Sequence, residues 1–433
     1  MKIAYIGIEN DLIWRMRREM LASLVHNRCD VTLIVPDGPK TEALKSLGLE
    51  IIAIPASRHH RPLEDFFFIF RLYRVLRKIK PDIVYTSTVK PNTYGTIAAR
   101  WAGVPKIVSG VAGVGRSFDP PCSFKERIVH AIVFRLYRRA GRYVDKMWFQ
   151  NRDDLELFCR RKIVPREKCL LIRSSGVNTN DFSPENIDQE AITRLRNEFY
   201  SSRLENPEAG YGNPASQGSY VRPKAAAHTG CGIKLEDAIV ITMLSRVDVP
   251  KGVAEFIEAS RIARNWQKNV FFLLAGERDE FGQNAISDKQ LEQTETFRYV
   301  GKRTDVRNIL AVSDIVTLPS YHEGVPRSLL EGMAMGKPIV TTDAPGCRET
   351  VEDGVNGFLV PVKNPELLAR ALYELVIDRE KREAFGKAGM LKVFGEFSCK
   401  IVHKRVLEEL FGIENPMIPD IKTRPDNNGI DLI

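Results

Sequence analysis

The chain has 433 residues, of which 43% are hydrophobic and 27% are charged, and its formal net charge at pH 7 is +9. A chain of this length is too long to fold around one ordinary hydrophobic core, so we expect at least two domains. The seven cysteines are scattered, odd in number and without metal-ligand spacing, which excludes a disulfide framework and a zinc site. No apolar run reaches the roughly 18 residues that a membrane span needs, and residues 1–8 are interpreted as a first strand because polar residues follow at once. We therefore expect a cytoplasmic protein.

Predicted strands and helices alternate over the first half of the chain. This alternation predicts a doubly wound α/β domain over residues 1–185. The loop after the first strand lacks the GxGxxG pattern of dinucleotide sites, so this half is expected to receive an acceptor molecule. The predicted strands are residues 3–8, 31–36, 50–55, 82–86, 106–108 and 146–149, and the predicted helices lie near residues 13–26 and before residue 80.

Positive charge is concentrated in this first half. Residues 1–185 hold 32 Lys and Arg against 19 Asp and Glu, a net charge of +13, which leaves −4 for the rest. Much of the excess lies in residues 64–80 and 124–142, where large apolar side chains alternate with Arg and Lys at helical spacing. This pattern is typical of helices that lie on an anionic membrane surface, but also of helices that pack on a sheet with an exposed basic face. Both interpretations can hold together. No nucleic-acid recognition motif accompanies the charge, so we do not expect a nucleic-acid partner.

Two loops of the first half follow predicted strands and should face a cleft. One begins after the strand at residues 82–86, and the other is the glycine-rich stretch at residues 109–116. Glycine allows a backbone to approach a ligand closely. The candidate acceptor-side residues are Lys90, Asn92, Gly113, Gly115 and Arg116.

The middle of the chain breaks the alternation. Residues 186–236 are rich in Gly, Pro, Ser and Ala and lack apolar periodicity, which predicts a flexible insertion or linker. Alternation resumes over residues 237–399, which we assign to a second Rossmann-like domain. A helical pattern then covers residues 400–412, and the polar tail at residues 413–433 is predicted to be disordered.

The second domain carries basic residues at the end of a predicted strand. Residues 238–245 form an apolar strand pattern, followed by Arg246 and Lys251 and then by a helix pattern at residues 253–266. Open α/β sheets bind ligands at the carboxyl ends of their strands, where Arg and Lys suit a diphosphate.

A second motif in this half is a strand, loop, helix and strand at residues 314–342. The loop carries Glu323 and Gly324, and the helix is predicted at residues 326–335, opened by Pro326. A helix N-terminus behind a glycine loop favours anions. Glu331 follows Glu323 by eight residues, a rise of about 12 Å, which suits a carboxylate at each end of a sugar, diphosphate and ribose. The alternative is an exposed glutamate pair on an ordinary helix.

The order of these motifs resembles glycosyltransferase family 4, the retaining nucleotide-sugar glycosyltransferases of bacterial polysaccharide and glycolipid assembly. The resemblance rests on Arg246 with Lys251-Gly252, on FFLLAG, on YVG, on the E-x7-E spacing from Glu323 to Glu331, and on NGFLVP. It implies a GT-B fold, in which two Rossmann-like doubly wound α/β domains face an interdomain cleft. It also implies that residues 400–412 form a helix that crosses back to the N-terminal domain.

The resemblance further implies roles for individual residues. Arg246 and Lys251 would bind the donor diphosphate, Glu323 the hexose and Glu331 the ribose, with Arg246, Lys251 and Glu323 as the catalytic set. Many relatives place a histidine in the cleft where this chain has Val111 and Ala112, so a histidine-assisted mechanism is not implied. The remaining donor-side residues are Arg303 and Thr304 near the base and Gly324, Val325, Pro326 and Arg327 at the helix start.

The function implied by the resemblance is transfer of a hexose from a nucleotide diphosphate, with UDP favoured, to an acceptor hydroxyl with retention. No metal or other cofactor is expected. Because the acceptor half is basic and aromatic, the expected acceptor is a lipid-linked saccharide, reached by peripheral contact of residues 64–80 and 124–142 with the cytoplasmic face of the inner membrane. The alternatives are another enzyme of the same fold, such as a nucleotide-sugar 2-epimerase, and a non-catalytic scaffold.

Overall fold

The structure is a computed structural model that describes residues 1–56, 62–114, 124–201, 238–266, 270–278, 285–291 and 297–420. It contains two α/β domains, each built on one parallel sheet, which confirms the predicted fold class. Within the described ranges, no helix combines the length and apolarity needed to cross a membrane.

The N-terminal domain has a seven-stranded sheet in the order β3-β2-β1-β4-β5-β6-β7, with helices on both faces. Because both faces are covered, its strands are almost continuously apolar. Successive side chains alternate between the faces, so Ala4 and Ile6 join one core cluster while Ile3 and Tyr5 join the other. The strands are β1 Lys2–Ile6, β2 Asp30–Val35, β3 Glu50–Ala53, β4 Ile83–Ser87, β5 Lys106–Val111, β6 Lys146–Phe149 and β7 Cys169–Leu171, and the helices are α1 Asn10–His26, α2 Thr41–Lys45, α3 Pro62–Ile79, α4 Thr96–Ala102, α5 Phe124–Tyr143 and α6 Arg152–Arg160.

The C-terminal domain has a six-stranded sheet in the order β10-β9-β8-β11-β12-β13. The strand order reverses between β8 and β11, and open α/β sheets bind ligands at such switch points. The strands are β8 Ile239–Leu244, β9 Val270–Ala275, β10 Phe297–Tyr299, β11 Ile315–Leu318, β12 Ile339–Thr342 and β13 Gly357–Val360, and the helices are α7 Gln189–Ser201, α8 Val253–Ile262, α9 Val306–Val312, α10 Arg327–Ala334, α11 Pro365–Ile377, α12 Arg379–Lys392 and α13 Cys399–Arg405.

The chain passes between the domains twice at neighbouring points. Val177 donates its N–H to Phe397 O at 2.9 Å and accepts from Cys399 N at 2.9 Å, so the first crossing runs beside the second. Helix α13 continues as a π-helical turn, Val406–Phe411, and both pack into the N-terminal core. The predicted crossing helix is therefore present.

Two predictions about irregular segments are wrong in part. The first residues of the predicted insertion form α7, because Ile192 and Leu195 pack on the C-terminal core. The beginning of the predicted disordered tail is fixed, since Asn27 Nδ2 donates to Met417 O at 2.7 Å and Lys400 pairs with Asp420 at 3.1 Å. Residues 202–236 and 421–433, the rest of both predictions, lie outside the described residues.

The crossing helix should stabilise the N-terminal domain strongly. Phe411 is 2% exposed and its ring lies edge-on to Tyr85 at 5.8 Å, so we expect Phe411→Ala to lower the free energy of unfolding by about 3–5 kcal/mol. The matched control is Phe394→Ala, because Phe394 is 45% exposed and its loss should cost less than about 1 kcal/mol. Urea unfolding followed by circular dichroism measures both, and equal midpoints would contradict the packing described here.

Candidate active site

The basic residues predicted for a diphosphate lie together after β8. Arg246 is 58% exposed and its Nη2 lies 3.0 Å from Oδ2 of Asp248, whose carboxylate is fully buried. Lys251 Nζ lies 2.5 Å from Glu323 Oε1, which joins the loops that follow β8 and β11. A Cβ on Gly252 would meet Pro319 O at 2.0 Å, so glycine is required for these loops to pack so closely. The structure thus brings Arg246, Lys251 and Glu323 to the switch point.

The helix behind the Glu323 loop begins one residue later than predicted. Pro326 has an extended ψ of 117° and is the N-cap residue, so α10 starts at Arg327. Val325 is buried beside it. The N-terminus of α10 follows Glu323 and Gly324 directly, as an anion site requires.

Glu331 lies in a buried charge cluster and not on an open surface. Its carboxylate is 3.4 Å from Arg327 Nε, and Arg327 Nη1 donates to the backbone oxygen of Arg15 on α1 at 2.5 Å. Burial raises the pKa of Glu331, while Arg327 opposes that shift. Neither Glu323 nor Glu331 is an exposed helix residue, so that alternative interpretation is wrong. The ribose role of Glu331 stays a prediction.

The residues predicted to lie near the nucleotide base, Arg303 and Thr304, follow β10. Arg303 forms two hydrogen bonds with Asp305, at 2.8 and 2.7 Å, and lies 3.5 Å from Glu198 on α7. Thr304 is exposed. Helix α7, which the sequence assigned to a linker, therefore borders this end of the site.

The acceptor-side predictions divide into two groups. Lys90 and Asn92 do not present free polar groups to the cleft, since Lys90 Nζ pairs with Asp65 at 2.6 Å and Asn92 bonds both Thr86 Oγ1 and Gly110 O at 2.8 Å. Both side chains are buried and bonded within the N-terminal domain, and their expected role as direct acceptor contacts stays a prediction.

The glycine-rich loop does reach the cleft. Gly113 has a φ of +127° and faces the C-terminal domain, where a Cβ on it would lie 3.2 Å from Gly324 N. Gly115 and Arg116 lie outside the described residues.

Sequence reasoning missed two residues of the N-terminal domain that contact the Glu323 loop. Asn151 Nδ2 donates to the backbone oxygens of Glu323 at 3.2 Å and Gly324 at 2.9 Å. Asp154 Oδ1 lies 3.0 Å from His322 Nε2. The sequence does carry one signal for this position. An Asn shortly after a strand, with an Asp three residues later, is typical of the start of a helix.

A metal site is not evident in the described part of the chain. No group of three or more His, Cys, Asp or Glu side chains there could hold a metal ion. Metal-independence itself stays a prediction.

Both halves of the chain match known protein families. Residues 232–392 match the family "Glycosyl transferases group 1", and residues 2–150 match "Glycosyl transferase 4-like".

Two curated relatives are similar over most of the chain. One is N,N'-diacetylbacillosaminyl-diphospho-undecaprenol alpha-1,3-N-acetylgalactosaminyltransferase of Campylobacter jejuni, 28% identical over 88% of this chain and 91% of that protein. The other is UDP-Gal:alpha-D-GlcNAc-diphosphoundecaprenol alpha-1,3-galactosyltransferase of Escherichia coli, 25% identical over 87% and 88%.

Solved structures confirm the GT-B fold. HepE of Anabaena in complex with UDP and glucose aligns with a TM-score of 0.72 at 18% identity, over 95% of this chain and 100% of that one. WaaG, a glycosyltransferase involved in lipopolysaccharide biosynthesis, aligns with a TM-score of 0.67 at 15% identity, over 95% and 100%.

The buried cluster around Glu331 should make stability depend on pH. His403 of α13 bonds Ser175 O at 3.1 Å, and burial lowers its pKa to about 4 from 6.5. The unfolded chain then binds a proton between pH 6.5 and 4 while the folded chain does not, so stability falls as pH falls through this window. From pH 7 to pH 5 we expect a loss on the order of 2 kcal/mol from this residue.

His403→Gln keeps a hydrogen-bond donor but removes the titration. We expect its unfolding free energy to fall less than that of the parent between pH 7 and pH 5. Parallel pH dependence of parent and variant in urea unfolding would contradict the assignment.

Proposed function

We propose that this chain, which belongs to the group 1 glycosyltransferases and has their GT-B fold, transfers a hexose from a nucleotide diphosphate to a hydroxyl of a lipid-linked saccharide. The proposal includes UDP as the nucleotide, retention at the anomeric carbon and no required metal. The observation that carries it is the convergence of Arg246, Lys251 and Glu323 at the switch point of the C-terminal sheet, beside the start of α10.

The leaving group is the main demand of this reaction. The bond between the anomeric carbon and the diphosphate oxygen breaks, and the electron pair stays on the diphosphate. Arg246, Lys251 and the N–H groups at the start of α10 stabilise that charge, and losing one such contact typically costs on the order of 100- to 1000-fold in rate. Lys251 is held near this position by its ion pair with Glu323.

For the configuration to be retained, the acceptor oxygen attacks the anomeric carbon from the same face of the sugar ring that the diphosphate leaves. The acceptor proton then passes to the departing phosphate oxygen, so a separate strong base is not needed. This agrees with Val111 and Ala112, which supply no titratable group to the cleft. Comparison of the anomeric proton coupling in the donor and the product by NMR tests retention, and inversion would contradict it.

The proposed acceptor is a saccharide on a polyprenyl diphosphate in polysaccharide or glycan assembly. Both relatives described above are named for sugars linked to undecaprenyl diphosphate. The face of α3 opposite its buried side is also suited to lipid, since Leu63, Phe66 and Phe70 are more than half exposed and Arg74 lies over the ring of Phe70. We place the protein at the cytoplasmic membrane face.

Donor binding can be tested by thermal shift with UDP, GDP, ADP and their sugars. A nucleotide at 100 times its dissociation constant should stabilise the parent by about 2.7 kcal/mol. Arg246→Ala and Lys251→Ala should lose most of this shift, whereas the control Lys387→Ala, an exposed residue of α12, should keep it. No shift with any of the nucleotides would sink the proposed donor site.

Membrane contact can be tested by sedimentation with vesicles. We expect the parent to bind phosphatidylglycerol vesicles more strongly than neutral phosphatidylcholine vesicles, because exposed Arg side chains follow the aromatic residues of α3. The double variant Phe66→Ser/Phe67→Ser should bind about tenfold less, since each exposed ring contributes to burial in lipid.

The control for this experiment removes two exposed apolar residues from the other domain. Leu391→Ser/Phe394→Ser should bind as the parent does. Equal binding of the parent to anionic and neutral vesicles, or equal loss in both double variants, would count against α3 as the membrane contact.

A further inference from the structure

The first turn of α6 contacts the donor domain with four consecutive residues, Asn151 to Asp154, which we call the α6 clasp. Asn151 Nδ2 bonds the two carbonyls of the Glu323 loop, and Asp154 pairs with His322. Between them, Arg152 N donates to Glu349 Oε1 at 3.2 Å, and Arg348 Nη1 lies 2.9 Å from both carboxylate oxygens of Asp153. An open cavity of about 850 Å³ adjoins Arg152 and Asp153.

The inner half of the α6 clasp, Asn151 and Asp154, is buried, and all of its polar side-chain atoms are hydrogen-bonded. Asn151 and Asp154 are at most 1% exposed. Asn151 Oδ1 caps α6 by accepting from Asp154 N at 2.8 Å, while its Nδ2 donates to Asp154 Oδ2 and to the donor-domain carbonyls. The side-chain oxygen of Asn151 therefore caps α6, while its side-chain nitrogen donates to the other domain.

The bonded carbonyl belongs to the residue that faces the donor sugar in the proposed function. Glu323 accepts from Asn151 through its own backbone oxygen, and its N–H donates to Pro345 O at 2.9 Å. On the opposite side, Gly324 packs against Ala112 so tightly that a Cβ would lie 2.0 Å from its carbonyl oxygen. The backbone that aims the Glu323 carboxylate is thus fixed partly by the acceptor domain.

The clasp also connects to the acceptor side of the sheet. The Tyr137 hydroxyl hydrogen-bonds Asn92 and lies near the charge of Asp154. Asn92 in turn donates to Gly110 O near the end of β5, where the glycine-rich stretch begins. Buried polar networks of this kind hold their members in one arrangement when every member is bonded.

We propose that Asn151 and Asp154 are positioning residues, which set the Glu323 loop for sugar transfer only when the acceptor domain is closed against it. This inference rests on the proposed function, since it assigns the Glu323 loop to the donor sugar. Its consequence is that the donor domain alone binds the nucleotide but holds the sugar end loosely. Transfer to water is then disfavoured until an acceptor-bearing domain closes.

The test uses Asn151→Asp in the full-length protein. Aspartate keeps the oxygen that caps α6 but removes the N–H donors and puts negative charge against two carbonyl oxygens. The matched control is Asn364→Asp, the same change at the N-cap of α11, where the side chain accepts from Leu367 N. Circular dichroism melting checks that both variants fold.

The first readout is hydrogen exchange of peptides that cover residues 320–330, which needs no substrate. We expect exchange there to rise about tenfold in Asn151→Asp and to stay at the parent rate in Asn364→Asp. Equal exchange in the parent and Asn151→Asp would overturn the positioning role.

The second readout separates positioning from binding. With UDP-galactose and a polyprenyl diphosphate-linked acceptor, we expect kcat for transfer to fall about 10- to 100-fold in Asn151→Asp, with KM for the donor and the thermal shift by UDP within threefold of the parent. An unchanged kcat, or equal losses of kcat and UDP affinity, would overturn the proposal. Failure of UDP to stabilise the parent would instead count against the proposed donor site. In that case the hydrogen-exchange comparison alone tests whether the α6 clasp positions the Glu323 loop.

Discussion

The close approach of Gly324 to the backbone of Ala112 sets the separation of the two domains at the candidate site. No side chain fits between them, since a Cβ on Gly324 would lie 2.0 Å from the Ala112 oxygen. Gly346 lies on the other side of the same loop with a φ of +77°, and a Cβ there would meet the carbonyl oxygens of Glu323 and Gly324 at 2.3 Å. Gly324 and Gly346 therefore allow the Glu323 loop of the C-terminal domain to be packed between backbone segments on two sides. The direction of the Glu323 side chain follows from that enclosure.

A second group of contacts closes the cleft at α1. Arg327 and Glu331 of α10 are buried with Glu19, and the two glutamates raise the pKa of Arg327 while burial opposes them. Burying charges is costly unless they are paired, and breaking such a pair leaves the remaining charge uncompensated. Arg327 also donates to Arg15 O through Nη1, so this one side chain joins Glu331 of α10 to the backbone of α1.

The sequence predicts those parts of the site that depend on local order along the chain. Arg246 and Glu323 could be placed together because each follows a buried apolar strand, and the strands are neighbours in a doubly wound sheet. The α6 clasp could not be found this way, since Asn151 and Gly324 are 173 residues apart and meet only through the packing of two domains. Lys90 was assigned to the cleft for a related reason: its position after a strand is visible in the sequence, but its pairing with Asp65 depends on how α3 lies on the sheet. Helix α7 was missed because residues 202–236 dominate the composition of that segment.

The pairing of Lys90 with Asp65 also bears on the membrane contact proposed for α3. Lys90 follows the carboxyl end of β4, and Asp65 is in the first turn of α3, so the pair fixes the start of α3 at the cleft edge of the sheet. The exposed apolar residues of α3 lie in that same half of the helix, from Leu63 to Phe70, while its exposed basic residues follow from Arg71 onward. Helix α5 repeats the arrangement, with exposed Ile128 and Ile132 before its main run of arginines. The apolar ends of both helices therefore lie toward the cleft side of the sheet, as the proposed lipid-linked acceptor requires if its lipid stays in the bilayer while its hydroxyl reaches the Glu323 loop.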